Sequence, residues 1–335
     1  MNATLWLARY RLRAAVRTPT ALFIQFGLPV ILLALTGLLF FHGHPFERRT
    51  LVITGTHTTA AERSLRRFGD LRIETGATAP VALRRLRVGV VRAVLVTDGE
   101  GARVHVAPRD ELMGVGLRAA LGGDAALRIE PVGERAYLHY LFPGMVVWTL
   151  LVNGLLGMGT SMAHYRNTRF LKKLRTTPLS RYSFVASQIM ARGTLSLVQL
   201  AWMAVIAWAL FGLRLGLAEA LWASALVALG VVVFAGVGFA LAAAVRDESS
   251  VSDAANALTA VLLLVSEVFF PVDDLPRPIA WLAGLLPSTQ LVRALRAVML
   301  WGETDAATVA PSLALLGAWG AAAYLLSVLT FRWDE

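Results

Sequence analysis

The sequence predicts an all-α polytopic membrane protein of six transmembrane helices, with a small α/β extracytoplasmic domain inserted between spans 1 and 2. Three observations predict it. Of 335 residues, 56% are hydrophobic and only 16% charged, against about 25% charged in an average soluble domain. Apolar runs near the roughly 20 residues that cross a bilayer as a helix recur at 21–41, 138–163, 193–212, 218–245, 254–270 and 307–331. Between the first two, residues 45–135 carry fifteen arginines and eleven acids, too polar a stretch for lipid.

Residues 1–20 come first, with Arg9, Arg11, Arg13 and Arg17 and no acid. Leu5, Ala8, Leu12, Ala15 and Val16 fall on one helical face with Arg9, Arg13 and Arg17 beside it, and Pro19 breaks the chain before the apolar run. This reads as a cytoplasmic amphipathic helix lying in the membrane interface. The run at 21–41 is longer than a signal peptide's core and no small-residue cleavage site stands out after it, so it reads as a retained anchor, span 1.

Residues 42–137 form the extracytoplasmic domain. "TLVITG", "LRIETG", "RAVLVTDG" and "ARVHVAP" alternate apolar and polar residues as half-buried strands do, and "DGEG" at 98–101 suits a hairpin turn. "AAERSLRRFGD", "VALRRLRVG" and "ELMGVGLRAAL" read as short helices between them.

Residues 138–335 hold spans 2 to 6. They include a cationic helix at 165–180 and a long loop at 271–306, whose apolar pieces are too short to span and predict a re-entrant excursion from the outer side. Residues 164–182 carry six Lys/Arg and no acid. Counting that segment, the N-terminal segment, Arg246 and Arg332, one side of the membrane holds twelve cations; the short loops of the other hold Arg214, Arg277, Arg293 and Arg296. The positive-inside rule places both termini and the 164–182 segment in the cytoplasm. The net charge of +10 thus follows topology and argues against nucleic acid as a partner.

Cysteine is absent, which excludes disulfides and thiolate metal sites. No Gly-Lys-Ser/Thr P-loop occurs, so this chain cannot hold ATP in the Walker manner. The histidines at 42, 44, 57, 105, 139 and 164 fall in no metal or triad spacing, and no HExxH is present. No cofactor and no catalytic residue is expected in this chain.

The segment after span 2 reads Arg166, Leu171, Leu174, then Thr177-Pro178-Leu179-Ser180, with Pro178 ending one helix and Ser180 placed to cap the next. In this order and spacing it resembles the permease subunits of the type 2 ABC exporter family, of the subgroup with an ectodomain after the first span. Two further places agree. Asn256, Phe269, Phe270, Pro271, Leu275 and Pro276 are similar to that family's fifth span and its exit. Pro287 followed by Arg296 resembles its closing signature.

The resemblance implies that Arg166, Leu171, Leu174, Thr177, Pro178 and Leu179 form the coupling helix that docks on an ABC ATPase. It implies ATP and Mg bound by that partner rather than here, and a second permease copy, identical or related. It also implies a hydrophobic or amphipathic substrate such as a drug, natural product, lipid or peptide, exported across a bacterial inner membrane. The sequence departs from the pattern at Asn167 and Arg293, where acids are frequent, and at Arg169 and Glu267, where glycine is usual.

Residues inside the spans add detail. Gly236, Ala240 and Ala244 are spaced for close helix approach, and Asn153, Gln199 and Gln25 are amides of the kind that bond helix to helix. Arg192 opens the third apolar run and is expected to snorkel to the cytoplasmic interface. Glu267, an acid in an apolar run, joins Asn153 and Asn256 as a candidate for the translocation path. The rival readings are a mechanotransmitting ABC subunit, which usually has four spans, and an ion-coupled secondary transporter, expected to show paired halves and midplane ionisable residues.

Overall fold

The computed structural model describes residues 3–17, 19–39, 50–55, 65, 72–75, 78–87, 91–98, 101–107, 110–121, 125–129, 136–168, 170, 180–245, 247–268 and 277–330. The chain divides into two compact units. One comprises Met1–Leu33, Leu141–Met299 and Thr304–Glu335; the other comprises Ala34–Tyr140 and Leu300–Glu303.

The second unit is built on a five-stranded sheet: β1 (Thr50–Gly55), β2 (Arg72–Thr75), β3 (Ala93–Asp98), β4 (Gly101–Val106) and β5 (Ala126–Ile129), in spatial order β2-β1-β3-β4-β5. β1 runs parallel to both neighbours, β3 and β4 are antiparallel, and β5 is parallel to β4. Because side chains alternate across a strand, the register Leu51↔Ala93 and Leu95↔Val104 puts one apolar set on one face. That face packs on Leu117 of α5 (Glu111–Ala120). The opposite face, with Val52 and Val94, packs on Ala82 and Leu86 of α4 (Ala79–Arg87). Helices on both faces explain why Leu51, Val52 and Ile53 are all fully buried. The four strands read from the sequence are β1 to β4. β5, four residues at a sheet edge, has too little alternation to be read.

The first unit is helical. α1 (Ala3–Val16) leads to α2 (Pro19–Leu22), a π-helical turn (Phe23–Gly27) and α3 (Leu28–Leu39). α6 (Ala136–Leu151) passes through a second π-helical turn (Val152–Leu156) into α7 (Gly157–Asn167). Then come α8 (Arg181–Phe211), α9 (Leu217–Ala244), α10 (Glu248–Val265), α11 (Arg277–Leu285), α12 (Pro287–Met299) and α13 (Ala306–Thr330). The ends follow local chemistry. Ser180 caps α8 by accepting from the Ser183 amide at 3.1 Å, and Gly212 closes it at φ +71°. Asp247 caps α10 by accepting from the Ser250 amide at 3.1 Å.

Among the described residues four helices are long and apolar enough to cross a membrane: Leu141–Asn167, Tyr182–Leu210, Leu217–Ala244 and Val309–Leu329. A shorter apolar helix runs over Gln25–Leu35. The helix that carries the third apolar run starts from its serine cap a dozen residues before 193, which leaves Arg192 well inside it. One expectation needs correction. The fifth run, expected over 254–270, ends as helix at Val265, and Glu267 and Val268 lie in a turn.

α9 is the hub. It is apolar on all sides and buries residues around its whole circumference. In the expected small-residue stripe Gly236 makes a close approach, since a Cβ there would stand 2.6 Å from that of Ala323 on α13, whereas Ala244 is exposed. The tighter contact was not in the stripe. A Cβ on Gly238 would sit 2.2 Å from the carbonyl oxygen of Gly154, in the second π-helical turn, so the two backbones touch there.

Candidate functional site

α8 carries two long polar side chains on one face, Arg192 and Gln199, seven residues or two turns apart. Each reaches a π-helical turn. Arg192 donates to the carbonyl oxygens of Asn153 (3.2 Å) and Gly157 (2.6 Å) and to the Ser161 hydroxyl (3.0 Å). Gln199 accepts from Nδ2 of Asn153 at 3.2 Å and donates to the carbonyl oxygen of Gln25 at 2.5 Å. A π-helical turn disturbs the regular i→i−4 ladder, and hydrogen-bonding groups inside a bilayer have no water to turn to. The two side chains supply donors there. Of the amides expected as interhelical glue, Asn153 and Gln199 bond each other side chain to side chain, and Gln25 takes part through its backbone carbonyl.

Arg192 reaches across to the second π-helical turn. It lies eleven residues into a 31-residue helix, about 16 Å from its start at 1.5 Å per residue. The carbonyls around the π-helical turn hold it there.

A second polar cluster sits where α7 ends and α10 begins. Arg166 donates to the carbonyl oxygens of Ala242 and Val245, both at 2.8 Å, and so closes the C-terminus of α9, where unpaired carbonyls and the helix dipole favour a cation. Asn167 donates to Glu248 at 3.2 Å, and His164 lies 3.6 Å from the same carboxylate. Beside them the Asp247 carboxyl is held below its usual range by hydrogen bonds, first from the Ser249 hydroxyl and then from the Ser250 amide. The last turn of α7 is thereby tied to the α9–α10 corner. An apolar core of Met158, Met162, Phe184, Phe239 and Val251 lies beside it.

Arg11 of α1 lies over the ring of Tyr165, 4.2 Å from its centroid. Desolvation by burial lowers the Arg11 pKa, and Tyr165 opposes that shift. α1 buries Leu7 and Ala8, while Leu5 of the expected apolar face is exposed together with Trp6, Arg9, Tyr10 and Arg13.

The third cluster is an ion pair. Nε and Nη2 of Arg293 on α12 donate to the two carboxylate oxygens of Glu267 at 2.7 and 3.1 Å, a two-pronged contact. Arg296 donates to the Val268 carbonyl at 3.4 Å. Glu267 and Arg293, two departures from the family pattern in opposite charge, compensate each other. Their pairing across 26 residues left no local signal beyond those two anomalies.

The expected site residues are not gathered in one place. Asn153 bonds Gln199, Glu267 bonds Arg293, and Asn256 stands on the exposed face of α10 with Asp253. Leu171, Leu174, Thr177, Pro178 and Leu179 lie outside the described residues. Among the described residues no group of three or more His, Cys, Asp or Glu could hold a metal ion.

Compared with known proteins, the chain matches a family model described as ABC-2 type transporter over residues 2–300. No curated protein matches it. A match over most of the chain, on a bundle with several membrane-crossing helices, leads to one conclusion: the chain belongs to the ABC-2 type transporter family, as the multi-pass membrane permease component of an ABC transporter, associated with separate ABC ATPase subunits.

Proposed function

We propose that this chain is the six-span permease of an ATP-driven exporter in a bacterial inner membrane. It pairs with a second permease copy and moves a hydrophobic or amphipathic molecule outward. Residues 1–20 and the 165–180 segment lie on the cytoplasmic side, 42–137 outside, and 271–306 re-enters from the outer side. The support is the charge asymmetry between the two sets of loops and the family's architecture.

The observation that carries the coupling role is the tie made by Arg166. The residue leading into the cationic segment is fastened to the α9–α10 corner by two 2.8 Å hydrogen bonds, so a displacement of that segment passes directly to two further helices. A coupling element needs such a connection, because ATP can bias the permease only through a part whose position differs between two states. In this reading Leu171, Leu174, Thr177, Pro178 and Leu179 form the docking surface, and Glu267, Asn153 and Asn256 belong to the translocation path.

Leu171→Asp and Leu174→Asp place an unpaired charge in the docking contact. The expected outcome is loss of transport and of ATPase co-purification with membrane insertion unchanged, while Arg169→Gln, a surface charge, has a small effect. Aspartate variants that bind the ATPase and transport normally exclude this segment as the coupling element.

A further inference from the structure

Gly157, Ser161 and Tyr165 follow one another at four-residue spacing and share one face of α7. Two guanidinium groups from different helices converge on that face. Arg192 of α8 bonds the Gly157 carbonyl and the Ser161 hydroxyl at one end, and Arg11 of α1 covers the Tyr165 ring at the other. The two cations are within electrostatic range of each other.

Among the described residues neither cation makes an ion pair with a carboxylate. Arg192 has only two carbonyl oxygens and a hydroxyl as hydrogen-bond partners, and its buried Nε has none. Arg11 has the Tyr165 side chain. Two like charges held close together in a desolvated setting repel each other, and neutral acceptors do not cancel the charge. Gly157, Ser161, Tyr165, Arg11 and Arg192 are all half-buried, so the cluster is neither sealed nor stripped of cover. Arg9 and Arg13 on α1 and Arg17 in the turn after it are exposed and add to the local positive potential.

We propose that α1, α7 and α8 form a binding site for a phosphate-bearing anion, held jointly by Arg11 and Arg192. Cationic guanidinium groups favour phosphate oxygens, and a bound anion would remove the repulsion between the two cations. Two sources share this chemistry: the headgroup of an anionic phospholipid, and a free phosphate. The inference rests on membership of a membrane family and on this geometry, not on the direction of transport or the docking of an ATPase.

The test uses the full chain purified in a neutral detergent, with thermal stability as readout. One arm titrates short-chain phosphatidylglycerol against short-chain phosphatidylcholine, and the other titrates inorganic phosphate against chloride at equal ionic strength. Stabilisation by phosphatidylglycerol alone assigns the site to a headgroup; stabilisation by inorganic phosphate as well assigns it to phosphate in general. In either case Arg11→Gln is expected to weaken the apparent affinity about tenfold, as loss of one charge-assisted contact does. Arg192→Lys, which keeps the charge but loses the carbonyl and hydroxyl contacts that position it, is expected to do likewise. Arg13→Gln removes an exposed charge from the same helix and should leave the affinity within about twofold. Should Arg192→Lys fail to fold, Arg11→Gln against Arg13→Gln decides alone. The proposal is overturned if neither anion stabilises the wild-type chain, or if Arg11→Gln weakens binding no more than Arg13→Gln.

Discussion

Arg192 and Arg293 are both arginines within the helical unit, and they are held in opposite ways. Arg293 faces a carboxylate and is 40% exposed; its charge is matched and partly hydrated. Arg192 faces two backbone carbonyls and a hydroxyl, with its Nε buried. One arginine is half of an ion pair that could be exchanged for another polar pair. The other completes a backbone that its own helix leaves incomplete. An arginine that serves the backbone is tied to the shape of the turn it serves, whereas an arginine that serves a side chain is tied only to that side chain.

The largest expected effect tests that distinction. Arg192→Gln removes the donors from two carbonyls, and each buried acceptor left unpaired costs about 1–3 kcal/mol. A marked fall in the melting temperature of the detergent-solubilised chain is expected, and no single acidic substitution elsewhere should repair it. If Arg192→Gln melts no lower than Arg293→Gln, the contrast fails.

The ion pair should behave differently. Glu267→Gln and Arg293→Gln are each expected to cost about 1 kcal/mol, since the pair is partly exposed. The exchange of both residues, Glu267→Arg with Arg293→Glu, should recover most of the loss, and a double-mutant cycle measures that coupling. Transport read in the same variants across cationic and neutral substrates tests the path. Unchanged substrate ranking in both Glu267→Gln and Glu267→Gly leaves Glu267 as a fastening only.

Gln199 is the neutral counterpart of Arg192, on the same face of α8 and directed at the other π-helical turn. Gln199→Leu is expected to cost about 0.6 kcal/mol, the usual scale of an interhelical hydrogen bond in a membrane. A loss as large as that of Arg192→Gln would show that charge is not what separates the two.

What the sequence made legible follows from period and composition. The apolar runs of α9 and α13, the strands β1 to β4 and the serine cap of α8 are local patterns, and they form where they were read, although β1 is buried on both faces rather than one. The partners of Arg192 were not legible because a cation at the edge of an apolar window looks only like the end of a span. What holds it is a π-helical turn more than thirty residues earlier, and such a turn has no composition of its own. The Glu267–Arg293 pair is non-local for the same reason. Asn153 and Gln199 were legible by type, but their pairing depends on which faces of α8 and the π-helical turns meet.

The turn at Val152–Leu156 also sets the phase of everything beyond it. It stores one surplus residue in an otherwise regular rod, and shifting that surplus along the chain would screw the intervening residues through roughly 100° with an advance of roughly 1.5 Å. Arg192 bonds one carbonyl inside the turn and one immediately after it, at Asn153 and Gly157, and so pins the thread on both sides. The far end of the same rod carries Arg166, gripping the α9–α10 corner. A rod pinned at its seam and clamped at its tip can tilt or slide as one piece but cannot spin, which makes it suited to passing on a push rather than a twist.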